Sequence, residues 1–138
     1  MRINVKSISG VVLGIALAGS IAFTGGCASG KSQDTGSAAA VVEMHFHSFE
    51  PAQVTIRAGE EVLWRNTSLI WHTVTADPSL AKKPEDVALP PGAKPFDSGK
   101  VPAGNSYRQT FTTPGTYRYF CKPHETKGMV GEIVVQPK

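Results

Sequence analysis

Three residues with metal-binding side chains lie close together near the end of the sequence. Cys121, His124 and Met129 follow one another with the spacing Cys-x₂-His-x₄-Met in the stretch FCKPHETKGM. Thiolate, imidazole and thioether groups suit copper, and two histidines, one cysteine and a distant axial methionine form a type-1 copper site. The spacing therefore predicts a type-1 copper site that takes one further histidine from elsewhere in the chain.

The other histidines differ in how well they can complete this site. His72 lies in the stretch WHTVT, at the start of a predicted strand and 49 residues before Cys121. A lone histidine at a strand edge is usually only hydrogen-bonded, but adjacent strands of a sandwich can bring such distant residues together, and we expect His72 to be the missing ligand. His45 and His47 would share one face of a strand and are interpreted as solvent-facing, with a second metal site there as the alternative.

The first 26 residues have the features of an export signal. Arg2 and Lys6 precede an apolar run over residues 11–23, and small residues follow. This run is shorter than the roughly 20 residues that a membrane-spanning helix needs, although an uncleaved anchor is an alternative. The next residues, TGGC, resemble the lipobox of bacterial lipoproteins, with Thr24 in place of the usual leucine. They predict a lipidated Cys27 that associates the chain with a membrane, and cleavage without lipidation stays open.

Cysteine usage and charge narrow the class of protein. In an oxidising compartment paired cysteines normally form disulfides. With Cys27 at the cleavage site, Cys121 lacks a partner and must be buried, reactive or bound to a metal. Two of the fourteen Lys and Arg residues lie in the export signal, so that twelve remain against eleven Asp and Glu, a net charge of +1. The sequence contains no basic cluster, and we expect no binding to nucleic acid.

The remaining sequence divides into a tether and one β-rich domain. Residues 27–40 are small, polar and without periodicity, which is typical of a flexible tether. Residues 41–138 contain short segments rich in Val, Ile, Thr, Tyr and Phe between Gly and Pro residues, as in all-β domains. They predict a Greek-key β-sandwich of about seven to eight strands, with an open barrel as the alternative. The predicted strands are 41–49, 53–57, 61–66, 71–75, 106–112, 115–120 and 130–136, with 53–57 and 61–66 paired as a hairpin and 76–104 mostly loop.

These features resemble the cupredoxins, the family of type-1 (blue) copper proteins, and most closely plastocyanin and plastocyanin-like bacterial proteins. The resemblance covers residues 41–136 and is carried by FEPAQVTIRAGEEVLWRN, by WHTV and by YRYFCKPHETKGMVGEIVV. It implies a cupredoxin-like fold and one copper ion bound by His72, Cys121, His124 and Met129. It also implies a monomeric one-electron carrier that cycles between Cu(I) and Cu(II) outside the cytoplasmic membrane, either periplasmic or tethered to the outer side of that membrane.

The resemblance further implies where redox partners dock. In the family, the imidazole at the position of His124 reaches the surface within an apolar patch, where protein donors and acceptors of electrons bind. Residues 77–96 form an insert that is not matched to plant plastocyanin. The partner surfaces of plant plastocyanin are therefore not assigned to residues of this chain. The charged residues beside the site, Lys122, Glu125 and Lys127, have mixed signs and are interpreted as a solvated face.

Three other functions would use some of the same residues. A periplasmic copper carrier or buffer would need the same ligands without fast electron transfer, and it is the alternative function. A copper enzyme would need further copper centres, for which the four histidines of this chain are too few, and no enzyme activity is expected. A catalytic pair of Cys121 and His124 would leave His72 and Met129 without a role.

Overall fold

The computed structural model describes residues 37–138. The export signal predicted for residues 1–26, the lipidation predicted at Cys27 and most of the tether predicted for 27–40 therefore lie outside the described residues. Within residues 37–138, no helix combines the length and the apolar character that a membrane crossing requires.

The described residues form nine short strands and three 3₁₀ helices. The strands are β1 Ala40–Met44, β2 Phe49–Glu50, β3 Gln53–Arg57, β4 Glu60–Asn66, β5 Thr75–Ala76, β6 Phe96–Asp97, β7 Ser106–Phe111, β8 Gly115–Phe120 and β9 Val130–Gln136. The 3₁₀ helices are Pro78–Leu80, Pro84–Asp86 and Lys122–Lys127. The predicted all-β class is confirmed. More strands are present than predicted because β2, β5 and β6 have only two residues each, too few to produce an alternation in the sequence.

The strands are arranged in two sheets, which confirms the predicted sandwich. One sheet has the order β2-β1-β4-β7 and the other has the order β3-β9-β8-β5-β6. β1 pairs with β4 and β3 pairs with β9 in parallel, whereas the other pairs are antiparallel. Alternation is clear in β9, where Gly131, Ile133 and Val135 are buried and the residues between them are partly exposed. This period of two is what a strand with one face toward a core requires.

Aromatic side chains dominate the core between the sheets. Trp64 of the first sheet and Tyr119 of the second are completely buried and meet edge to face, with ring centroids 5.4 Å apart. Phe111 and Tyr117 are both buried, with ring centroids 4.9 Å apart. Burying a side chain of the size of Phe stabilises a fold by about 1.5–3 kcal/mol. This core holds β8 in place, and β8 runs directly into Cys121.

The predicted hairpin of 53–57 and 61–66 is wrong, because the two strands belong to different sheets. β3 pairs with β9, whereas β4 pairs with β1 and β7. The chain changes sheets at two consecutive residues: the Ala58 N–H donates to the Gln136 carbonyl at 2.8 Å, and the Gly59 N–H donates to the Phe111 carbonyl at 2.7 Å. Gly59 has a φ of +94°, which glycine adopts readily. Alternation in a sequence indicates which side chains are buried and leaves open which strand lies alongside.

Two other predicted strands are interrupted. Residues 41–49 form β1 and β2 as an antiparallel pair, and in the turn between them the His45 N–H donates to the Ser48 carbonyl at 2.9 Å. Phe46, which a continuous strand would bury, lies in this turn with 60% of its surface exposed. Around residues 71–75, only β5 and an isolated bridge between His72 and Val101 are formed.

Candidate metal centre

The residues predicted as ligands come from two distant parts of the chain. His72 lies between β4 and β5, whereas the other three lie between β8 and β9. Cys121 directly follows β8, His124 lies in the 3₁₀ helix Lys122–Lys127, and Met129 directly precedes β9. We call residues 121–129 the ligand loop. Because β8 and β9 are antiparallel neighbours, the two ends of this loop are held side by side.

Main-chain hydrogen bonds connect the three predicted ligand residues of the loop to one another. The Cys121 N–H donates to the Met129 carbonyl at 3.0 Å, and the Met129 N–H donates to the His124 carbonyl at 3.2 Å. The His124 N–H donates to the Cys121 carbonyl at 3.0 Å. The loop closes through Gly128, whose φ of +79° lies in the left-handed region that favours glycine. The positions of these three residues are therefore interdependent.

Three of the predicted ligand residues bring their donor atoms together. The donor atoms of His72, Cys121 and His124 all lie within 4.8 Å of one another. Cys121 Sγ is 3.6 Å from His72 Nδ1 and 3.4 Å from His124 Nδ1. Bonds of about 2.0–2.3 Å from one metal ion to nitrogen and sulfur would place such atoms about 3.5 Å apart. The spacing of the three atoms thus fits a single metal ion.

The site is enclosed except at one residue. His72, Cys121 and Met129 are completely buried, whereas His124 is partly exposed. Among residues 37–138, His72, Cys121 and His124 are also the only cluster of three or more His, Cys, Asp or Glu side chains spaced to hold a metal. Sulfur and imidazole donors favour copper or zinc over hard ions such as Mg²⁺. The donor set and its burial are consistent with the predicted copper site.

Two hydrogen bonds orient the buried donors, and the residues that make them were not singled out from the sequence. Ser68 Oγ lies 2.8 Å from His72 Nε2, which leaves Nδ1 of that ring to face Cys121. The Ser68 hydroxyl is also bonded to Asn66 Oδ1 at 2.8 Å. The Thr73 N–H donates to Cys121 Sγ at 3.4 Å. Such outer contacts fix the orientation of ligand residues and tune a bound metal.

Burial favours the uncharged form of the metal-free site. Burial, followed by the charges of His124 and His47, lowers the pKa of His72 from 6.5 to about 4. Burial also raises the pKa of the Cys121 thiol, and the hydrogen bond from the Thr73 N–H offsets part of this effect. At neutral pH His72 is therefore a neutral imidazole, whereas a metal must displace the proton of the Cys121 thiol in order to bind.

The low pKa of His72 predicts that the metal-free protein loses stability on mild acidification. The unfolded chain takes up a proton at His72 near pH 6.5, whereas the folded chain does so only near pH 4. The contribution of this residue to the free energy of unfolding should therefore be constant above about pH 7 and fall by roughly 2–3 kcal/mol between about pH 6.5 and 4. Denaturant unfolding of the metal-free protein at several pH values measures this change.

Two variants isolate the contribution of His72. His72→Gln should show a flatter pH dependence over the same range. Thr126→Ala, at an exposed position without a titratable side chain, should keep the slope of the wild type. Equal slopes for the wild type and His72→Gln would contradict the prediction.

His47 lies against the partly exposed His124. The centroids of the two rings are 5.0 Å apart, and the ring of Phe46 lies 4.4 Å from that of His47. His47 is exposed, as expected from the sequence, but it also covers part of the His124 ring. A straight strand would have directed His45 and His47 to the same side, whereas the turn between β1 and β2 directs His47 to the ligand loop.

Apolar side chains are exposed around the same part of the molecule. Phe46, Leu69 and Trp71 expose 60%, 94% and 41% of their surface. The ring of Phe46 contacts the ring of His47, which in turn lies against His124. Leu69 and Trp71 lie between the end of β4 and His72. Exposed apolar side chains thus lie on two segments that adjoin the predicted ligand residues.

Comparison with known proteins identifies the family. Residues 37–136 match the model of the plastocyanin/azurin family of copper-binding proteins. The chain belongs to this family. The donor set described above fits the metal for which the family is named, and the predicted resemblance to the cupredoxins is confirmed.

Individual plastocyanins are similar to this cupredoxin. The chain is 42% identical over 92 residues to a chloroplastic plastocyanin of Tetradesmus obliquus, in an alignment covering 64% of this chain and 58% of that protein. It is 43% identical over 93 residues to a plastocyanin of Scenedesmus fuscus, covering 64% of this chain and 86% of that protein. A plastocyanin of Nostoc punctiforme is 35% identical over 92 residues, covering 64% of this chain and 65% of that protein. The chain thus spans less than two thirds of two of these relatives.

Solved structures of amicyanin share the fold of this cupredoxin. A Cu(I) form of an amicyanin variant superposes with a TM-score of 0.58 at 26% identity, over 75% of this chain and 87% of that chain. An oxidised amicyanin variant superposes with a TM-score of 0.56 at 26% identity, over 71% of this chain and 82% of that chain. The predicted cupredoxin-like sandwich is confirmed.

Proposed function

We propose that this protein carries one electron at a time through a single type-1 copper ion that cycles between Cu(I) and Cu(II). The observation that carries the proposal is the convergence of Cys121 Sγ with the Nδ1 atoms of His72 and His124 in an enclosed site. Membership of a family of copper-binding proteins supports copper as the metal. The similarity to plastocyanins supports electron transfer as its use.

Each residue of the site has a distinct part in this proposal. His72, Cys121 and His124 would hold the copper, and Met129 would supply a weak fourth contact. The bound copper supplies the one-electron couple. The chain keeps the ligand residues in one arrangement: Ser68 orients the His72 ring, and main-chain bonds tie the ligand loop together. A rigid, enclosed site suits electron transfer because neither oxidation state then requires the ligand residues to move far.

His124 is the proposed point of electron exchange. It is the partly exposed member of the site, and exposed apolar side chains of Phe46, Leu69 and Trp71 lie on nearby segments. We propose that redox proteins that donate or accept electrons dock at His124. We also propose that this protein is a monomer. The side chain of Lys100 lies over the Trp71 ring at 4.6 Å, which adds a positive charge to this surface.

The geometry favours an electron carrier over the other functions. A copper carrier or buffer must release its metal, whereas three of the ligand residues here are completely buried and come from two segments of the chain. An enzyme needs room for a substrate at the metal, and the same burial argues against catalysis. We therefore propose electron transfer without enzyme activity.

We also propose export of the chain to the periplasm and attachment to the outer side of the cytoplasmic membrane through Cys27. The support is the charged start, the apolar run and the TGGC stretch of the first 27 residues. Fractionation of cells that express the wild type or Cys27→Ser tests this proposal. The wild type should be found with the membranes and the variant in the soluble exported fraction, and equal distributions would reject the tether.

One set of measurements on the copper-loaded protein tests the proposed function. The oxidised form should contain one copper per chain, show an intense visible charge-transfer band and give a reversible one-electron couple in voltammetry. Electron self-exchange, measured from NMR line broadening in mixtures of the two oxidation states, should be faster than loss of copper to a chelator. Copper loss that outpaces self-exchange would indicate a copper carrier, and the absence of the band after confirmed loading would reject the type-1 site.

A further inference from the structure

Glu125 is a completely buried carboxyl group inside the ligand loop. From the sequence it is interpreted as part of a solvated face, and this interpretation is wrong, because none of its surface is exposed. Its Oε1 atom accepts hydrogen bonds from the backbone N–H groups of Lys82 at 2.7 Å and Lys83 at 2.9 Å. Its Oε2 atom is buried without a hydrogen-bond partner among residues 37–138. The carboxyl group thus points away from solvent and toward the insert 77–96.

Burying the carboxyl group of Glu125 costs free energy unless its hydrogen bonds compensate for the lost hydration. A carboxylate loses several kcal/mol of hydration free energy on burial, and glutamate is almost never fully buried without partners. The partners here are 42 and 43 residues away in sequence, so that they tie two separate segments together. A surface position for Glu125 would have avoided the desolvation, which indicates that the connection itself has a role.

The segment that Glu125 holds is itself fixed to the strand before the ligand loop. The Lys83 carbonyl accepts from the Asp86 N–H at 3.1 Å, at the start of the 3₁₀ helix Pro84–Asp86. That helix is in turn bonded to β8, because Arg118 Nη1 of β8 donates a hydrogen bond to the carbonyl of Glu85 in the helix at 3.0 Å. The insert is therefore held to β8 by hydrogen bonds and is not a free loop.

The backbone of Glu125 is fixed as well, immediately beside a ligand residue. The Gly128 N–H donates to the Glu125 carbonyl at 2.8 Å, and the Met129 N–H donates to the carbonyl of His124. His124 is the least buried residue of the site, so that packing restrains its ring less than it restrains the buried ligand residues. Its orientation consequently depends on the backbone that Glu125 anchors.

We propose that Glu125 is a positioning residue of the metal centre, which fastens the ligand loop to residues 82–83 and thereby sets the orientation of His124. The insert 77–96 is then a structural part of the metal centre. This inference rests on the proposed function only in that His124 is taken as a ligand. The position of the His124 ring can be tested without copper.

The test compares variants of the full chain in the metal-free state. Glu125→Ala removes both hydrogen bonds, whereas Glu125→Gln keeps an oxygen that can accept them. Glu125→Ala should speed amide hydrogen exchange at Lys82 and Lys83 by about tenfold and shift the NMR resonances of the His124 ring. Glu125→Gln should remain close to the wild type in both measurements. Thr126→Ala, at an exposed neighbouring position, serves as the matched control and should change neither.

Copper-loaded samples supply the second readout. Glu125→Ala should change the visible and EPR spectra and the reduction potential, and Glu125→Gln should restore them. The proposal is overturned if Glu125→Ala leaves the His124 resonances unchanged, or if Glu125→Gln is as disruptive as Glu125→Ala. Should Glu125→Ala fail to fold, Glu125→Asp, which withdraws the carboxyl group by one methylene, takes its place with the same expectations. Absence of a type-1 spectrum in the wild type would reject the proposed function and leave the metal-free result standing.

Discussion

Cys121→Ser is expected to abolish the intense visible band of the copper-loaded protein and to lower its copper affinity by more than about 100-fold. Alteration of an outer contact costs about 10–100-fold in metal affinity, and loss of the sulfur itself should cost more. Serine replaces the soft thiolate, on which the absorption and the preference for copper depend, by a hard hydroxyl oxygen. The two side chains are similar in size, so that the buried position should still be filled.

The chain offers a matched control for this experiment. Its only other cysteine is Cys27, and Cys27→Ser should retain the band, the copper content and the affinity of the wild type. Absorption and EPR spectra together with metal analysis after loading and desalting measure the outcome. A Cys121→Ser protein that keeps the intense band, or a Cys27→Ser protein that loses it, would contradict the assignment of Cys121.

Gly131→Ala is expected to lower the free energy of unfolding by about 3 kcal/mol, at the upper end of the usual effect of overpacking. Gly131 in β9 lies directly opposite Tyr119 in β8. A Cβ atom at this position would lie 2.3 Å from Cζ and 2.4 Å from the hydroxyl oxygen of the Tyr119 ring. That ring is completely buried against Trp64 and cannot move aside without disturbing the core.

Two comparisons distinguish overpacking from a general effect of removing glycine. Gly92→Ala, at a position with a φ of +84° and no atom within 4 Å of the new methyl group, should cost only about 1 kcal/mol through its backbone conformation. Tyr119→Leu removes the ring that the methyl group would strike. In denaturant unfolding of the metal-free protein, a double-mutant cycle should therefore show the two changes to be non-additive, and additive effects would reject the steric explanation.

The effect of Gly131→Ala should extend to the metal centre. β8 and β9 are the two strands that hold the ends of the ligand loop, and Gly131 is two residues beyond Met129. Separation of the strands at this point should alter the visible spectrum of the copper-loaded variant as well as its stability.

The proximity of Cys121 and His124 could be predicted from the sequence because it depends on residue types and on local spacing. Cys121, His124 and Met129 lie within one loop, and only His72 had to be inferred from its position in a distant strand. Strands with clear alternation were predicted with their observed bounds, as for residues 53–57, 115–120 and 130–136. These features are all local in the chain.

What could not be predicted depends on contacts between distant segments. The groups that bind Glu125 are backbone N–H groups, which every residue except proline carries, so that no residue type marks Lys82 and Lys83 as its partners. The same reason explains why 53–57 and 61–66 were wrongly paired as a hairpin. The hydroxyl group of Ser68 is recognisable only once the bend between β4 and β5 brings it to the His72 ring.

The parallel pairing of β3 with β9 joins segments of the second sheet that lie far apart in the chain. Gln53 and Glu132 are 79 residues apart, and contacts across such separations form slowly because a long loop must first close. A chain synthesised only as far as β8 presents His72 but no ligand loop, and its second sheet lacks the strand between β3 and β8. The second sheet therefore closes only once β9, which directly follows Met129, has been synthesised.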